Sequence, residues 1–276
     1  MPGIDAHQHF WKFDPVRDNW ITGDMAAIQR DFFPADIEPS LAENGLNACI
    51  AIQSNQSEEE TIFLLSLAKR AEFIKGIVGW VDLRAENIYE RLAYFNQFPL
   101  IKGFRHILQG EADRALMLRS AFKRGVAALQ QFNYTYDILI FPDQLAYAKE
   151  LVESFPEQKF IIDHMAKPYI KNKQIDDWKK DILELGKHEN VYCKISGMVT
   201  EADWKGWKKD DFAPYLDVAV QAFGMHRLVF GSDWPVCLVA ASYTQTFDIV
   251  NNYFSDYTLH EKEQLFGGNA IQFYNI

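Results

Sequence analysis

Short runs rich in β-branched and aromatic residues alternate with longer segments of helical periodicity, and this alternation most constrains the fold. It predicts eight strands, at residues 3–9, 47–53, 76–81, 101–105, 136–141, 159–163, 190–195 and 227–231. The segment 57–73 begins with a capping serine and early acids and places Ile62, Leu65 and Ala68 on one helical face. Strands and helices that alternate in this way are typical of parallel sheets with crossover helices.

The number of units favours a closed barrel over an open sheet. Eight strand-and-helix units in 276 residues predict an α/β fold of the (β/α)8 TIM-barrel type, because such barrels typically take about 250 residues. Neither GxGxxG nor GxxxxGK[ST] occurs, which argues against nucleotide-binding folds. Without a linker, repeat or low-complexity tract, residues 1–276 are predicted to form a single domain.

Two strand-to-helix connections are unusually long. Residues 10–36, after the first strand, include Trp11 and Trp20, and residues 198–212, after the seventh, include Trp204 and Trp207. Because such loops surround the active site of a barrel, both are candidate lids or substrate walls.

Charge and termini limit the partners. The chain has 28 Lys and Arg against 38 Asp and Glu, a net charge of -10, which disfavours nucleic acid and anionic membranes. The start MPGIDAHQHFW lacks a signal-peptide pattern, so we expect a cytoplasmic protein. Cys49, Cys193 and Cys237 lie in apolar contexts and are predicted to be buried free thiols. The sequence leaves homo-oligomer formation open.

The first strand carries two histidines. His7 and His9 in IDAHQHFW are two residues apart, so their side chains point to one face and Gln8 points to the other. At the carboxyl end of a barrel strand, this pair suits metal binding or a hydrogen-bonded cluster. Alone, an HxH pattern is equally compatible with a structural role.

Other strand ends supply further reactive groups. Asp163 and His164 end the sixth strand, Asp233 follows the eighth, and Arg105 and His106 end the fourth. Polar groups at four strand ends predict a site at the carboxyl edge of the barrel. The alternatives are an ion pair for Arg105 and a turn-capping role for Asp233.

Possible substrate contacts also fall at or just after strand ends. Gln53, Trp80 and Trp234 are candidates there, together with Arg105 and His106. The tryptophans could instead belong to the core, since aromatic strand residues are often buried.

Five segments together carry a family resemblance: IDAHQHFW, RDFFPADIEPSLAENGLNACIAIQ, KGFRH, FGSDWP and GGNAIQFYNI. In this order along the chain, they resemble the amidohydrolase-related family of sugar lactonases, which includes L-fuconolactone and L-rhamnonolactone hydrolases. The resemblance implies a distorted barrel in which His7, His9 and Asp233 flank a reactive water, with His164 as a further imidazole.

Two departures from the metal-rich branch of the superfamily that this family resembles argue against a binuclear metal centre. The fifth strand, YDILIF, ends in no histidine, and Lys102 lies near the beginning of the fourth strand instead of its end. Two arrangements stay open: one zinc ion held by the ligand set His7, His9, His164 and Asp233, or a metal-free cluster. We therefore expect at most one divalent cation per chain.

The resemblance and the strand ends together favour hydrolysis of a small neutral sugar lactone. Asp233 would act as general base and Arg105 would stabilise the oxyanion; His7, His9 and His164 would hold the metal or, without one, join Arg105 in that role, with His164 as a further catalytic group. Alternatives are another reaction on the same scaffold, such as decarboxylation or hydration, a different ester or lactone hydrolase, and a non-catalytic binding barrel.

Overall fold

The computed structural model describes residues 2–276 and contains one sheet of eight parallel strands. Each strand pairs with the next in chain order. The strands are β1 Ile4–Gln8, β2 Ala48–Ile52, β3 Ile74–Gly79, β4 Ile101–Ile107, β5 Thr135–Leu139, β6 Phe160–Ile162, β7 Val191–Ile195 and β8 Leu228–Phe230. All eight predicted strands are present, with boundaries shifted by up to two residues.

The segment after β8 closes the barrel. Strand β8 has only three residues, and the chain beyond it continues beside β1. The Asp233 N–H donates to the His7 carbonyl (2.9 Å), and the His9 N–H donates to the Trp234 carbonyl (2.7 Å). The expected (β/α)8 barrel is therefore confirmed, and its seam is irregular at the point where the candidate histidines and aspartate meet.

Helices follow the strands and cover the sheet. They are α1 Pro34–Glu43, α2 Glu58–Ala68, α3 Ile88–Phe95, α4 Ser120–Gln131, α5 Leu145–Ser154, α6 Asp176–Leu185, α7 Met198–Glu201, α8 Ala213–Phe223, α9 Tyr243–Tyr253, α10 Leu259–Glu263 and α11 Asn269–Tyr274. In α2, the Ser57 hydroxyl accepts the Glu60 N–H at 3.2 Å, as the capping pattern predicts. Of the three residues predicted to share a helical face, Leu65 and Ala68 are buried, whereas Ile62 is 40% exposed.

Both long loops contain local structure. In the loop after β1, a 3-10 helix spans Gly23–Ile28, α1 begins earlier than expected at Pro34, and Trp11 forms an antiparallel bridge with Phe32. The loop after β7 contains α7 and a short 3-10 turn at Lys209–Asp211. In the first loop, the rings of Trp11 and Phe32 pack with their centroids 5.5 Å apart. This packing makes the loop an ordered wall of the barrel mouth.

A small apolar cluster fills the barrel interior. Ile4, Ile50 and Val229 from the strands pack with Phe273 and Tyr274 of α11. Because α11 covers the amino-terminal end of the barrel, the opposite, carboxyl end stays open for a site. Among the described residues, no helix is long and apolar enough to span a bilayer. The three cysteines are buried and free, as predicted.

Candidate active site

The two histidines of β1 lie side by side. The strand register shifts between Asp5 and Gln8, and the Nε2 atoms of His7 and His9 come within 3.2 Å of each other. Gln8 instead donates from its side-chain amide to Asp5 (2.9 Å). The predicted alternation of these side chains is confirmed.

A buried carboxylate ties β1 to the end of β8. Asp5 Oδ1 accepts the backbone N–H groups of His7 (3.1 Å) and Ser232 (2.9 Å). Its Oδ2 accepts the Tyr243 hydroxyl at 3.1 Å as well as the Gln8 amide. Asp5 thereby holds together the two segments that carry His7 and Asp233.

His7, His164 and Asp233 form a group that could hold a metal ion. Each offers one donor atom, and these atoms lie within 4.8 Å of one another. His9 is adjacent, with its Nε2 3.4 Å from Asp233 Oδ1, while its Nδ1 lies 2.9 Å from the Ile52 carbonyl. The structure thus brings all four predicted ligands together.

His164 begins a left-handed turn. Residues 164–167 all have positive φ, between +50° and +57°, although none is glycine. Each such residue costs roughly 1–2 kcal/mol, so the surrounding structure must hold the turn in place. One support is Trp178, whose indole N–H donates to the Met165 carbonyl at 2.7 Å.

The imidazole of His164 is fixed from behind. Its Nδ1 lies 2.8 Å from the Ser196 hydroxyl, which leaves Nε2 directed toward Asp233 at 3.9 Å. Gly197 has φ +63°, and a Cβ there would lie 2.6 Å from His164 Nδ1. A side chain at this position would displace the ring.

A buried charge network lies beneath the histidines. Arg105 contacts Asp163 at 2.9 Å. This contact is the ion pair that the sequence allowed as an alternative role for Arg105. Lys194 lies 2.9 Å from Asp163 and 2.5 Å from Asp137, and the Tyr274 hydroxyl donates to Asp137 at 2.8 Å. These charges inside the barrel fix Arg105 at the base of the site.

Electrostatics favour neutral imidazoles and an ionised carboxylate. Burial lowers the pKa of His164 to about 4, and burial lowers the pKa of His7 well below its usual range. Burial alone would raise the pKa of Asp233, but the neighbouring His164, His9 and His7 lower it below its usual range. Neutral imidazole and carboxylate are zinc donors, so the donor set fits a single zinc ion.

The orientation of His7 also fits that ion. Its Nδ1 lies 3.5 Å from the Asp163 carboxylate, which can accept a proton there and leave the Nε2 lone pair on the cavity side. Lys194 Nζ lies 3.3 Å from the same nitrogen, and it also contacts the carboxylates of Asp137 and Asp163.

A cavity of about 300 Å³ opens over this group at the carboxyl edge of the barrel. Its wall includes His9, Arg105, His164 and Asp233. Trp20 of the long loop after β1 also lines it, as expected for a substrate wall.

The other predicted substrate contacts lie away from this cavity. His106 follows Arg105 in β4 and therefore points outward, where it contacts Glu111 at 2.7 Å and accepts the Trp80 indole N–H at 3.4 Å. Trp234 packs against Phe10 and Phe32 below the loop. Gln53 is buried and its side-chain oxygen accepts from Arg105 at 3.0 Å, so it supports the site from behind.

The sequence did not single out Lys194, Asp137 or Gln109. The signal for the first two was a charged residue within an otherwise apolar strand run, CKI in β7 and YDILIF in β5. Gln109 follows β4 and lines the cavity. Its position just after a strand end was the available indication.

These observations define a class of protein, the eight-stranded barrels with buried histidines and an aspartate at the carboxyl edge. The amidohydrolase family pattern matches residues 4–276, and the chain belongs to that family. An L-fucono-1,5-lactonase from Burkholderia multivorans is 40% identical over 284 residues, covering 99% of this chain and 96% of that protein. An L-fucono-1,5-lactonase from Burkholderia ambifaria is 33% identical over 290 residues, covering 99% and 95%.

A solved structure has the same architecture. The crystal structure of an amidohydrolase from Burkholderia multivorans with bound zinc aligns over 100% of both chains, with a TM-score of 0.96 and 39% identity.

Proposed function

We propose that this protein hydrolyses the ring ester of a neutral sugar lactone of the L-fuconolactone or L-rhamnonolactone type. The observation that carries the proposal is the ionised Asp233 beside the neutral imidazoles of His7 and His164 at the floor of a small cavity. The full-length similarity to two L-fucono-1,5-lactonases supports the substrate class.

Asp233 is the proposed general base. Its pKa lies below the usual range, so the carboxylate is ionised at neutral pH and can accept a proton from water. The ring of His9 is anchored through Nδ1 to the Ile52 carbonyl, and its Nε2 lies 3.4 Å from this carboxylate. Asp233 also holds its place through its own backbone N–H bond to His7.

Arg105 is the proposed stabiliser of the oxyanion, and His164 joins it in this role only where no metal is bound. The guanidinium of Arg105 is anchored by Asp163 and Gln53 and lines the cavity, so it is oriented before the substrate binds. His164, fixed by Ser196, lines the same wall. A fixed cation in a buried site stabilises a developing negative charge without reorganising.

His7, His164 and Asp233, with His9 beside them, are the residues that would hold one zinc ion. When bound, such an ion would polarise the lactone carbonyl and make nearby water more acidic. The chain's own groups supply the base and the anchored guanidinium.

The proposed substrate is uncharged. The chain carries a net charge of -10, which opposes phosphorylated sugars, and the ring of Trp20 in the cavity wall suits the C–H face of a sugar. We also propose a cytoplasmic location, which is supported by three buried cysteines that stay free thiols.

The decisive experiment offers a panel of aldonolactones to the purified protein in weak buffer with a pH indicator. Lactone hydrolysis releases acid, whereas decarboxylation of an aromatic acid consumes a proton. Acid release with an L-sugar lactone is the expected result. Lack of acid release with every lactone, or proton uptake with a carboxylic acid substrate, would overturn the proposal.

A further inference from the structure

Opening a lactone ring needs a proton for the ring oxygen as well as a base for the water. When the ring C–O bond breaks, its electron pair goes to the ring oxygen, and an alkoxide leaves slowly unless a proton reaches it. Asp233 is ionised at neutral pH, so it carries no such proton when the reaction begins. The donor is therefore another group of the cavity, or Asp233 itself after it has taken a proton from water.

Most of the basic groups in the cavity wall are unsuited to this task. The guanidinium of Arg105 donates hydrogen bonds, but a guanidinium in a protein does not give up its proton. Burial is the main cause that lowers the pKa of His164 to about 4, and the charges of Lys167 and Arg105 act in the same direction, so the imidazole is neutral at neutral pH. The Nδ1 of His9 faces the Ile52 carbonyl at 2.9 Å, so a proton on it is directed away from the cavity.

Lys167 supplies an ammonium group to this wall. It lines the cavity together with His164 and Asp233, and 17% of its side-chain surface stays accessible. Its charge acts on the imidazole of His164, which places the ammonium near that ring. A cavity of about 300 Å³ is small for a ligand site, so groups on its wall lie within reach of a bound lactone.

The surroundings hold this ammonium in place and leave it protons to donate. Lys167 Nζ lies 3.2 Å from Glu201 Oε1 of α7 and 5.7 Å from the centroid of the Phe141 ring. Within residues 2–276, Glu201 is its only ion-pair partner, and since an ammonium has three N–H donors, one partner does not occupy them all. The backbone is fixed as well, because Lys167 ends the left-handed turn at φ +50° and donates its N–H to the His164 carbonyl at 2.8 Å.

We propose that Lys167 is the general acid of the reaction and protonates the ring oxygen of the lactone as the ring opens. The inference rests on the proposed lactonase function and deepens it. Asp233 takes a proton from water, and the water oxygen bonds to the carbonyl carbon. The bond from that carbon to the ring oxygen then breaks, its electron pair stays on the oxygen, and the oxygen takes a proton from Lys167 Nζ to become a hydroxyl group. Afterwards Asp233 releases its proton to solvent and the amine of Lys167 regains one, so the two residues return to their starting states.

The test compares the best sugar lactone of the panel with its thiolactone, in which sulfur replaces the ring oxygen. A thiol is far more acidic than an alcohol, so a thiolate leaves without being protonated, and a general acid matters for the oxygen lactone alone. The variant is Lys167→Met, and the matched control is Lys173→Met. Lys173 also has a positive φ, +55°, and also faces a carboxylate, Asp211 at 3.6 Å, but it is 81% exposed and lies outside the cavity wall.

We expect Lys167→Met to lower kcat on the oxygen lactone about 100-fold or more, the contribution that a positioned acid or base typically makes. On the thiolactone the same variant should stay within a few-fold of the wild type. Lys173→Met should match the wild type on both substrates, and thermal unfolding checks that the variants are folded.

A second variant separates proton donation from charge. Alkylation of Lys167→Cys with bromoethylamine rebuilds an ammonium side chain of the same length, whereas alkylation with bromoethyl-trimethylammonium installs the charge without any N–H. We expect the first reagent to restore hydrolysis of the oxygen lactone and the second to restore none. The native cysteines are buried, and wild type treated with each reagent controls for them.

The outcomes distinguish this inference from the function on which it rests. Equal losses of Lys167→Met on the two substrates, or recovery with both reagents, would show that Lys167 only binds or positions the lactone and would overturn the inference. Unchanged kcat of Lys167→Met on the oxygen lactone would also overturn it and would assign the proton to Asp233. In these cases the wild type still hydrolyses lactones and the proposed function stands. If the wild type hydrolyses no lactone at all, the proposed function fails and the inference with it.

Discussion

The Nε2 atom of His9 lies 3.4 Å from Oδ1 of Asp233. The other ring nitrogen of His9 faces the Ile52 carbonyl at 2.9 Å, and since a carbonyl only accepts, that nitrogen carries the proton. In neutral His9, Nε2 therefore presents a lone pair to a carboxylate. The contact between this nitrogen and the carboxylate oxygen is favourable when a proton or a cation lies between the two atoms. A hydrolytic centre places a proton or a cation in such a position.

Asp233→Asn removes the proposed base while keeping its size. We expect the turnover of lactone to fall about 100-fold or more, the contribution that a positioned acid or base typically makes. The measurement is kcat on the best lactone of the panel, with the exposed Asp256→Asn as control. Activity of the folded Asp233→Asn variant within a few-fold of wild type would refute the assignment.

Asp5→Asn tests the clamp between β1 and the end of β8. The amide replaces one acceptor oxygen by a donor that faces other donors, so we expect a loss of about 1–3 kcal/mol in the free energy of unfolding. Tyr243→Phe removes only one of the four donors to Asp5 and should cost less. Urea unfolding measures both, and equal stability of Asp5→Asn and wild type would contradict the clamp.

The barrel and its histidine–aspartate group were predictable because they follow from periodicities. Alternating strands and helices place every strand end at one edge, and a spacing of two places His7 and His9 on one face. The outward direction of His106 was less accessible. The direction of the His106 side chain depends on whether Arg105 or His106 points into the barrel. Because both residues are polar and adjacent, the sequence does not show which one does.

Two features depend on tertiary contacts that a single sequence does not reveal. Lys194 and Asp137 are 57 residues apart, so a buried pair between β7 and β5 is visible only once the strands are placed. The left-handed turn at 164–167 contains no glycine, and local sequence preference would not predict it. Packing by Trp178 and its neighbours overrides that preference.

Stability should depend on pH through His164. An unfolded histidine has a pKa of about 6.5, whereas burial lowers that of His164 to about 4. The unfolded chain therefore binds the proton first as the pH falls, so the contribution is complete above about pH 6.5 and is lost between there and pH 4. It amounts to about 3 kcal/mol.

Urea unfolding of the chelator-treated protein from pH 8 to 4 measures this dependence. His164→Asn should flatten the curve over that range, and the exposed His260→Asn should leave it unchanged. The same slope in His164→Asn and wild type would show that other groups cause the loss.

Metal content should be one zinc per chain. The described residues contain one group of three donors within 4.8 Å, His7, His164 and Asp233, and the end of β5 contributes Leu139 to the cavity where a binuclear centre would need a histidine. We expect elemental analysis to find at most one equivalent, and exhaustive chelation to abolish lactonase activity until zinc is restored. Because imidazoles must be deprotonated to bind, and burial lowers the pKa of His164 to about 4, zinc loading of the folded protein should weaken only as the pH falls toward about 4. Two equivalents would refute the count, and full activity after chelation would instead establish the metal-free cluster, with Arg105 polarising the carbonyl directly.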